Sequence, residues 1–291
     1  MADPRPGALL VVATPIGNLE DITLRALAAL RACDAVLAED TRRTRALLHA
    51  HQIDRPLERL DDHVVRTRGD EMLDRIAAGQ TFALVSDAGT PMVSDPGAAL
   101  VRAAVARGVR VVALPGPSAA LAALVVSGLA GAGFRFVGFL PREGSERRAA
   151  LMAAARDPLP TVIYESPERT ADTLAQLRAV CGDERRVALC RELTKVYETV
   201  VRDPLGALCD ALAAGTVTVR GEVTLVLEGA PAIAQGAGDE ASPQASLDAA
   251  LDAALAAGLK PADASREVAR ALGLRRADVY ARILERTHPR G

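Results

Sequence analysis

Short apolar runs alternate with amphipathic stretches through the first half of the chain, and this alternation restricts the fold more than any other feature. Residues 8–13, 35–38, 82–85 and 109–114 are rich in Val, Leu and Ala, and helical patterns separate them. Strands that alternate with helices are typical of a parallel sheet covered by crossover helices. Only 2% of the residues are aromatic and Trp is absent, so aliphatic side chains must form the core.

A second block of strand-like segments begins near residue 134 and alternates less regularly. Strands are predicted over 134–139, 160–164, 187–191, 198–201 and 222–228, with a helix over 169–179. Val223, Leu225 and Leu227 lie on one side of the last segment, which predicts an antiparallel strand with one better-covered face. We therefore expect a mixed sheet in this block.

The C-terminal part of the chain differs in composition. Gly, Ala, Gln and Pro dominate residues 229–243, as in a flexible linker. Three short helices are then predicted, over 246–257, 262–272 and 277–286, with separators that resemble helix–turn–helix spacing. The fold class is thus α/β with three parts: an N-terminal α/β domain (1–117), a second α/β domain (118–232), and a linker with a small helical domain (233–291).

Composition excludes several classes of protein. The 35 basic and 37 acidic residues give a net charge of −2, so the chain lacks the overall positive charge of many nucleic-acid binders, although a local basic face remains possible. The four cysteines are far apart and the four histidines form no metal-binding motif, so no disulfide framework or metal site is expected. The apolar run 8–13 is too short to span a membrane, and we expect a cytoplasmic protein.

Four loops after predicted strands are candidates for a binding site, because ligands of open α/β sheets bind beyond the carboxyl ends of strands. They are TPIGN (14–18), EDTRRT (39–44), SDAGTPMVSDPG (86–97) and LPGPSAA (114–120). The first and fourth loops could instead be structural turns. The second could instead be explained by Asp40 as the cap of the next helix. The third loop is longer than a crossover needs, which favours function.

Motifs for several types of chemistry are missing from the sequence. There is no P-loop, no G-x-S-x-G, no G-x-G-x-x-G and no cysteine with the context of a nucleophile. We therefore expect a bound cofactor to carry the chemistry. His63, beside Asp61 and Asp62, is a candidate base, and a structural histidine is the alternative.

These loops resemble a known family when they are taken together and in order. TPIGNLEDIT (14–23), EDTRRT, SDAGTPMVSDPG, LPGPSA (114–119), GFLPR (138–142), YES (164–166) and RELTK (191–195) look like the 16S ribosomal RNA 2′-O-ribose methyltransferases, subunit I type, of the tetrapyrrole methylase superfamily. Residues 259–284 are also similar to that family's helical end domain. The sequence departs from the family at residues 61–64, where His63 is present but its neighbours differ.

The resemblance implies two α/β domains with S-adenosylmethionine between them, a homodimer, and a cytidine ribose of 16S rRNA in the 30S subunit as substrate. The implied cofactor-binding residues are Pro15, Gly17, Asp87, Ala88, Gly89, Thr90, Pro91, Ser118, Ala119, Ala120, Tyr164 and Glu222.

A ribose hydroxyl is a poor nucleophile, so a base or a positive group should assist its attack. The candidates are Lys195, His63 and Glu39. Proposed contacts to the RNA backbone are Arg42, Arg43, Arg191, Arg266, Arg270, Arg275 and Arg276. Two other functions remain open: a C-methyltransferase acting on a small molecule such as a tetrapyrrole, and a non-catalytic RNA-binding assembly factor.

Overall fold

The computed structural model describes residues 7–92, 97–231, 247–248, 250–252, 254, 259, 261–272 and 276–287. The chain forms two compact units, Met1–Pro231 and Ala232–Gly291. The first unit contains two five-stranded sheets. The predicted boundary at residue 117 lies inside this unit and stays a prediction. No helix in the described part of the chain is long and apolar enough to cross a membrane.

The first sheet is parallel throughout, as the alternating pattern predicts. Its strands are β1 (Ala8–Val12), β2 (Ala35–Ala38), β3 (Leu57–Arg59), β4 (Thr81–Val85) and β5 (Arg110–Leu114), and its helices are α1 (Leu24–Ala32), α2 (Thr41–Ala50), α3 (Asp62–Ala77) and α4 (Ala98–Ala106). The strand order is β3-β2-β4-β1-β5. Leu9 and Val11 enter the core on one face and Val12 enters the core on the other, because helices cover both faces of a parallel sheet.

The second sheet is mixed, which confirms the prediction for this block. Its strands are β6 (Arg135–Phe139), β7 (Thr161–Glu165), β8 (Arg186–Arg191), β9 (Thr199–Pro204) and β10 (Val223–Leu227), and the helices are α5 (Ala119–Ser127), α6 (Gly144–Arg156), α7 (Pro167–Cys181) and α8 (Leu205–Ala213). The order is β6-β7-β10-β8-β9. Only the β6–β7 pair is parallel.

Strand β10 is antiparallel to both neighbours, as predicted, but the expectation of one better-covered face was wrong. All five of its residues are buried. Val223, Leu225 and Leu227 enter one core, and Val226 enters another with Ala120 and other residues of α5. Helix α5, which links the two sheets, therefore covers the face of β10 that was predicted to be less well covered.

Helix α3 begins at Asp62. Asp61 caps it by accepting a hydrogen bond from the Val64 backbone N–H at 2.8 Å, a common way to satisfy the first free amides of a helix. His63 consequently lies in the first turn of a helix.

The second unit contains the helices α9 (Pro261–Leu272) and α10 (Arg276–Thr287). Val268 and Ala269 of α9 share a core with Val279 and Ile283 of α10. Both helices confirm the prediction for this region, and the predicted helix 246–257 lies partly outside the described residues.

Candidate active site

The four candidate loops meet at one edge of the first sheet, because they follow neighbouring parallel strands. Thr14 and Gly89 exchange two backbone hydrogen bonds of 2.8 and 3.0 Å. The Thr90 hydroxyl donates to the Pro117 carbonyl oxygen at 3.0 Å. The Asp40 backbone N–H donates to the Asp87 carboxylate at 3.1 Å. Short polar contacts therefore join the loops after β1, β2, β4 and β5.

Two loops of the second sheet reach the same edge. The Tyr164 hydroxyl, at the end of β7, accepts a hydrogen bond from the Ala120 backbone N–H at 3.1 Å. The Thr194 hydroxyl accepts one from the Asn18 backbone N–H at 3.2 Å. Gly17 lies so close to the Lys195 side chain that any Cβ at residue 17 would overlap it. A glycine is therefore required where the two loops touch.

A first cavity of about 400 Å³ lies where these loops meet. It contains eight of the twelve predicted cofactor residues: Asp87, Ala88, Gly89, Thr90, Ser118, Ala119, Tyr164 and Glu222. Its remaining lining is Ile16, Phe139, Glu165, Ser166, Pro167, Gly221, Val223 and Thr224. Aliphatic and aromatic side chains, together with main chain, thus form most of its wall.

A second cavity of about 330 Å³ adjoins the first and shares Ile16, Asp87, Ala88 and Glu222 with it. Its other lining residues are Thr14, Pro15, Gly17, Leu19, Arg43, Thr44, Ala46, Leu47, Ser86 and Lys195. Pro15 and Gly17 were predicted to bind the cofactor, but they line this second cavity. The other two predicted cofactor residues, Ala120 and Pro91, line neither cavity, and both are buried.

Lys195 is held in the second cavity by two carboxylates. Its ammonium donates to Glu192 Oε1 at 2.8 Å and to Glu222 Oε2 at 3.0 Å. Burial alone would lower the pKa of Lys195, but the hydrogen bonds to Glu192 and Glu222 outweigh burial and raise the pKa above its ordinary value. The side chain is therefore a cation at neutral pH and cannot act there as a base.

Glu192 organises this corner, although it is not among the site residues predicted from the sequence. Its backbone is left-handed, with φ of 51°, and so is that of Thr194, with φ of 67°. Such values are costly for residues other than glycine and cluster at functional sites. One carboxylate oxygen accepts from both the Lys195 ammonium and the Glu222 backbone N–H, each at 2.8 Å. Gly221 has φ of 77°, and any Cβ there would overlap this carboxylate.

Glu39 and His63, the other two catalytic candidates, line neither cavity. Glu39 follows β2, and its pKa is raised by partial burial and by the nearby carboxylates of Asp87, Asp61 and Asp62. His63 is exposed in the first turn of α3. The structure thus places Lys195 alone of the three at a cavity wall, and the roles of the other two stay predictions.

The arginines proposed to contact RNA differ in the hydrogen bonds that they already make within the protein. Arg42 binds the Asp40 carboxylate through two nitrogens at 3.1 and 2.8 Å. Arg191 donates to the Tyr197 carbonyl oxygen at 2.9 Å and to the Thr199 hydroxyl at 3.2 Å, so it organises its own loop. Arg43 lines the second cavity.

The remaining proposed RNA contacts belong to the second unit. Arg266 is exposed, 3.8 Å from Asp263. Arg275 and the side chains of Arg270 and Arg276 lie outside the described residues. Among the described residues, no three His, Cys, Asp or Glu side chains are grouped to hold a metal ion.

Comparison with known proteins matches this arrangement to one family. Residues 8–209 match the Tetrapyrrole (Corrin/Porphyrin) Methylases, and residues 240–287 match the RsmI C-terminal HTH domain. Ribosomal RNA small subunit methyltransferase I of Mesorhizobium japonicum is 42% identical over 284 residues, which cover 98% of this chain and 94% of the relative. The chain belongs to the ribosomal RNA small subunit methyltransferase I family.

A second member of the family and a more distant solved structure are also similar to this chain. The methyltransferase I of Halalkalibacterium halodurans is 45% identical over 224 residues, covering 77% of this chain and 76% of the relative. Uroporphyrin-III C-methyl transferase from Thermus thermophilus, solved with S-adenyl homocysteine, is 24% identical with a TM-score of 0.54, covering 76% of this chain and 97% of that one. This second likeness shows the fold, with two α/β sheets in the arrangement that the resemblance implied.

Proposed function

We propose that the protein methylates the 2′-hydroxyl of a cytidine ribose in the decoding region of 16S rRNA, with S-adenosylmethionine as the methyl donor. The observation that carries this proposal is the pair of adjoining cavities, one mainly apolar and one that holds the Lys195 cation. The names of the curated relatives support a small-subunit RNA substrate. The match of residues 240–287 to a helix–turn–helix domain favours RNA over a tetrapyrrole.

The first cavity fits the donor in size and chemistry. Pockets for ligands of this size measure about 300–1,000 Å³ and are mainly apolar with a few polar groups. Ile16, Ala88 and Phe139 offer apolar surface for a nucleoside. Helix α5 begins at Ala119, and the Ser118 side chain at its N-cap makes no capping hydrogen bond. The main chain of Ser118 and Ala119 therefore suits a carboxylate.

S-adenosylmethionine, when bound, supplies a methyl group on a positively charged sulfur. The chain's own contribution is to position the two reactants, which can replace much of the entropic cost of bringing them together. Lys195 has three N–H groups, and within the described residues Glu192 and Glu222 accept two of them. We assign the third to the oxygen of the ribose hydroxyl, where the ammonium would lower the pKa of that hydroxyl. The hydroxyl proton would leave to solvent water, the oxygen would take the methyl group, and the sulfur would keep the electron pair of the broken bond as S-adenosylhomocysteine.

We also propose that the protein acts as a homodimer in the cytoplasm, where ribosomal subunits are assembled. Leu121 and Val125 lie one turn apart on α5 and are 50% and 76% exposed, an apolar pair of the kind that protein interfaces cover. Light scattering on the purified protein should give twice the chain mass of 30.4 kDa. A monomer at micromolar concentration would contradict the homodimer.

The decisive experiment incubates the protein with labelled S-adenosylmethionine and either isolated 30S subunits or free 16S rRNA. Mass spectrometry of nuclease fragments should locate one methyl group on the ribose of one cytidine. The same assay decides whether free RNA or the assembled subunit is the substrate. Methylation of a tetrapyrrole with none on RNA would favour a small-molecule enzyme, and RNA binding without affinity for S-adenosylmethionine would favour an assembly factor.

A further inference from the structure

We propose that the second cavity is the acceptor subsite, which holds a single unpaired ribonucleotide with its phosphate on Arg43. This inference rests on the proposed function and names the part of the protein that receives the RNA. The cavity is bounded by the loop after β1, by α2 and by the Lys195 loop. It therefore lies beside the donor cavity, shares four lining residues with it and adds ten of its own.

The lining of the second cavity suits a sugar phosphate better than a second part of the donor. Arg43 and Lys195 are cationic, and the Thr44 side chain adds a hydroxyl, while the carboxylates of Asp87 and Glu222 lie on the wall shared with the first cavity. The first cavity has no Lys or Arg among its lining residues in the described part of the chain. A nucleotide carries a phosphate anion and several sugar hydroxyls, and those are the groups that such a lining binds.

Arg43 is the arginine best placed to accept a phosphate. Its side chain is 66% exposed, and its ion-pair partner Asp87 is 3.8 Å away, at the limit of an ion pair. No hydrogen bond joins its side chain to the described residues. Arg42, by contrast, already makes two hydrogen bonds to Asp40. The donors of Arg43 therefore stay open for a phosphate, which arginine binds with two parallel hydrogen bonds.

The shared wall fixes the direction in which the nucleotide must face. Ile16, Asp87, Ala88 and Glu222 line both cavities. Methyl transfer requires the acceptor oxygen to lie in line with the donor at about 3 Å, so the ribose must meet the donor at this wall. A volume of about 330 Å³ holds one nucleotide but not a base pair. The target must therefore be unpaired or turned out of its helix.

Ala46 offers a steric test, because it lines the second cavity from α2 and is exposed. In Ala46→Phe the ring would occupy the space of the nucleotide. With 30S subunits as acceptor, we expect kcat/KM to fall about 10²-fold, while calorimetric affinity for S-adenosylhomocysteine stays at the wild-type value. Ala50→Phe is the matched control, since Ala50 is exposed on the same helix and lines neither cavity.

A second pair of variants tests the phosphate contact without filling the cavity. Arg43→Ala should raise KM for 30S subunits about tenfold, the loss of one charge-assisted hydrogen-bonded contact. Arg45→Ala removes the same charge from the same helix outside the cavity and should leave KM near wild type. Circular dichroism melting checks that all four variants fold.

Four outcomes would overturn a proposal, and they are distinguishable. Wild-type activity in Ala46→Phe, or equal KM values for the Arg43 and Arg45 variants, would remove the acceptor subsite and leave the proposed function standing. Lost affinity for S-adenosylhomocysteine in Ala46→Phe would assign the second cavity to the donor. Absence of methyl transfer to RNA by the wild-type protein would instead reject the proposed function.

Discussion

Lys195 is a cation held in place at the candidate site, and its substitution should separate catalysis from binding of S-adenosylmethionine. Lys195→Met should lower kcat about 10²–10³-fold, because the acceptor oxygen would lose the cation that Glu192 and Glu222 hold in place. Affinity for S-adenosylmethionine, measured by calorimetry, should stay close to wild type, since Lys195 lines the second cavity and not the first.

Charge conservation provides the control for this prediction. Lys195→Arg keeps a cation near Glu192 and Glu222 and should recover part of the lost kcat. Since the pKa of Lys195 is raised, the wild-type protein should keep this contribution from neutral pH up to about pH 10. Full activity of the Met variant would dismiss the lysine from the mechanism.

Glu39 gives a pH-dependent prediction whose sign follows from its neighbours. Partial burial and the carboxylates of Asp87, Asp61 and Asp62 raise its pKa above the ordinary value of 4.5, so the folded protein binds this proton more tightly than the unfolded chain. Ionisation of Glu39 therefore opposes folding. Glu39→Gln should stabilise the protein at pH 7, by no more than about 0.5 kcal/mol because solvent screens an exposed side chain.

The stabilisation by Glu39→Gln should disappear as the pH falls below the pKa that Glu39 has in the unfolded chain. The wild type and the variant are then both uncharged at this position. Thermal denaturation at pH 7 and near pH 4 measures the difference. Glu184→Gln removes an exposed carboxylate elsewhere and provides the control. A stabilisation that persists at the lower pH would contradict the electrostatic explanation.

Among the elements, a buried ion network joins β7 to α6 and α7. Glu165 ends β7 with a fully buried side chain, 3.8 Å from Arg147 of α6 and 3.3 Å from Arg169 of α7. The Thr173 hydroxyl donates to the same carboxylate at 2.7 Å. Removing one partner leaves buried polar groups uncompensated, so Arg147→Met should lower the free energy of unfolding by about 3–5 kcal/mol.

Chemical denaturation measures this loss, and a neighbouring arginine controls for the change of charge. Arg148 lies next to Arg147 on α6 but is exposed. Arg148→Met should therefore change the free energy of unfolding by no more than about 0.5 kcal/mol. Equal effects of the two substitutions would show that Glu165 does not depend on Arg147.

Elements of the first sheet could be predicted from the sequence where an apolar run was uninterrupted or a helical period was regular. The bounds of β2 agree with the prediction, because a buried parallel strand is one continuous apolar run. Helix α6 was missed, since its apolar residues are nearly all alanine and its two faces differ little. Strand β3 was missed because it is a three-residue edge strand with two charged residues.

The candidate site was only partly predictable for a related reason. Loops rich in Gly and Pro are visible in a sequence, and the four loops do meet at one edge. The role of Glu192 depends on left-handed φ values at two residues that are not glycine. The division into two cavities depends on contacts such as that of Asn18 with Thr194, which are 176 positions apart. Neither the role of Glu192 nor the division into two cavities can be inferred from local sequence patterns.

Over the whole molecule, the net charge of −2 means that overall electrostatic attraction cannot bring RNA to the protein. Affinity must come from local groups of basic residues, and the end unit contains Arg266, Arg270, Arg275 and Arg276 within eleven positions. If these four contact phosphates, each binding event releases the counterions of those phosphates. Binding should then depend on salt through this unit more than through the rest of the chain.

Replacing the four arginines by glutamine should weaken RNA binding and make the plot of log K against log salt shallower by about 3, at roughly 0.7 per lost contact with single-stranded RNA. Filter binding measured between about 50 and 200 mM salt gives the slope. The control replaces Arg66, Arg102, Arg156 and Arg186, exposed arginines of the first unit, and so changes the net charge equally. A slope reduced equally in both variants would mean that the RNA responds to total charge, and the end unit would then have no specific part in holding it.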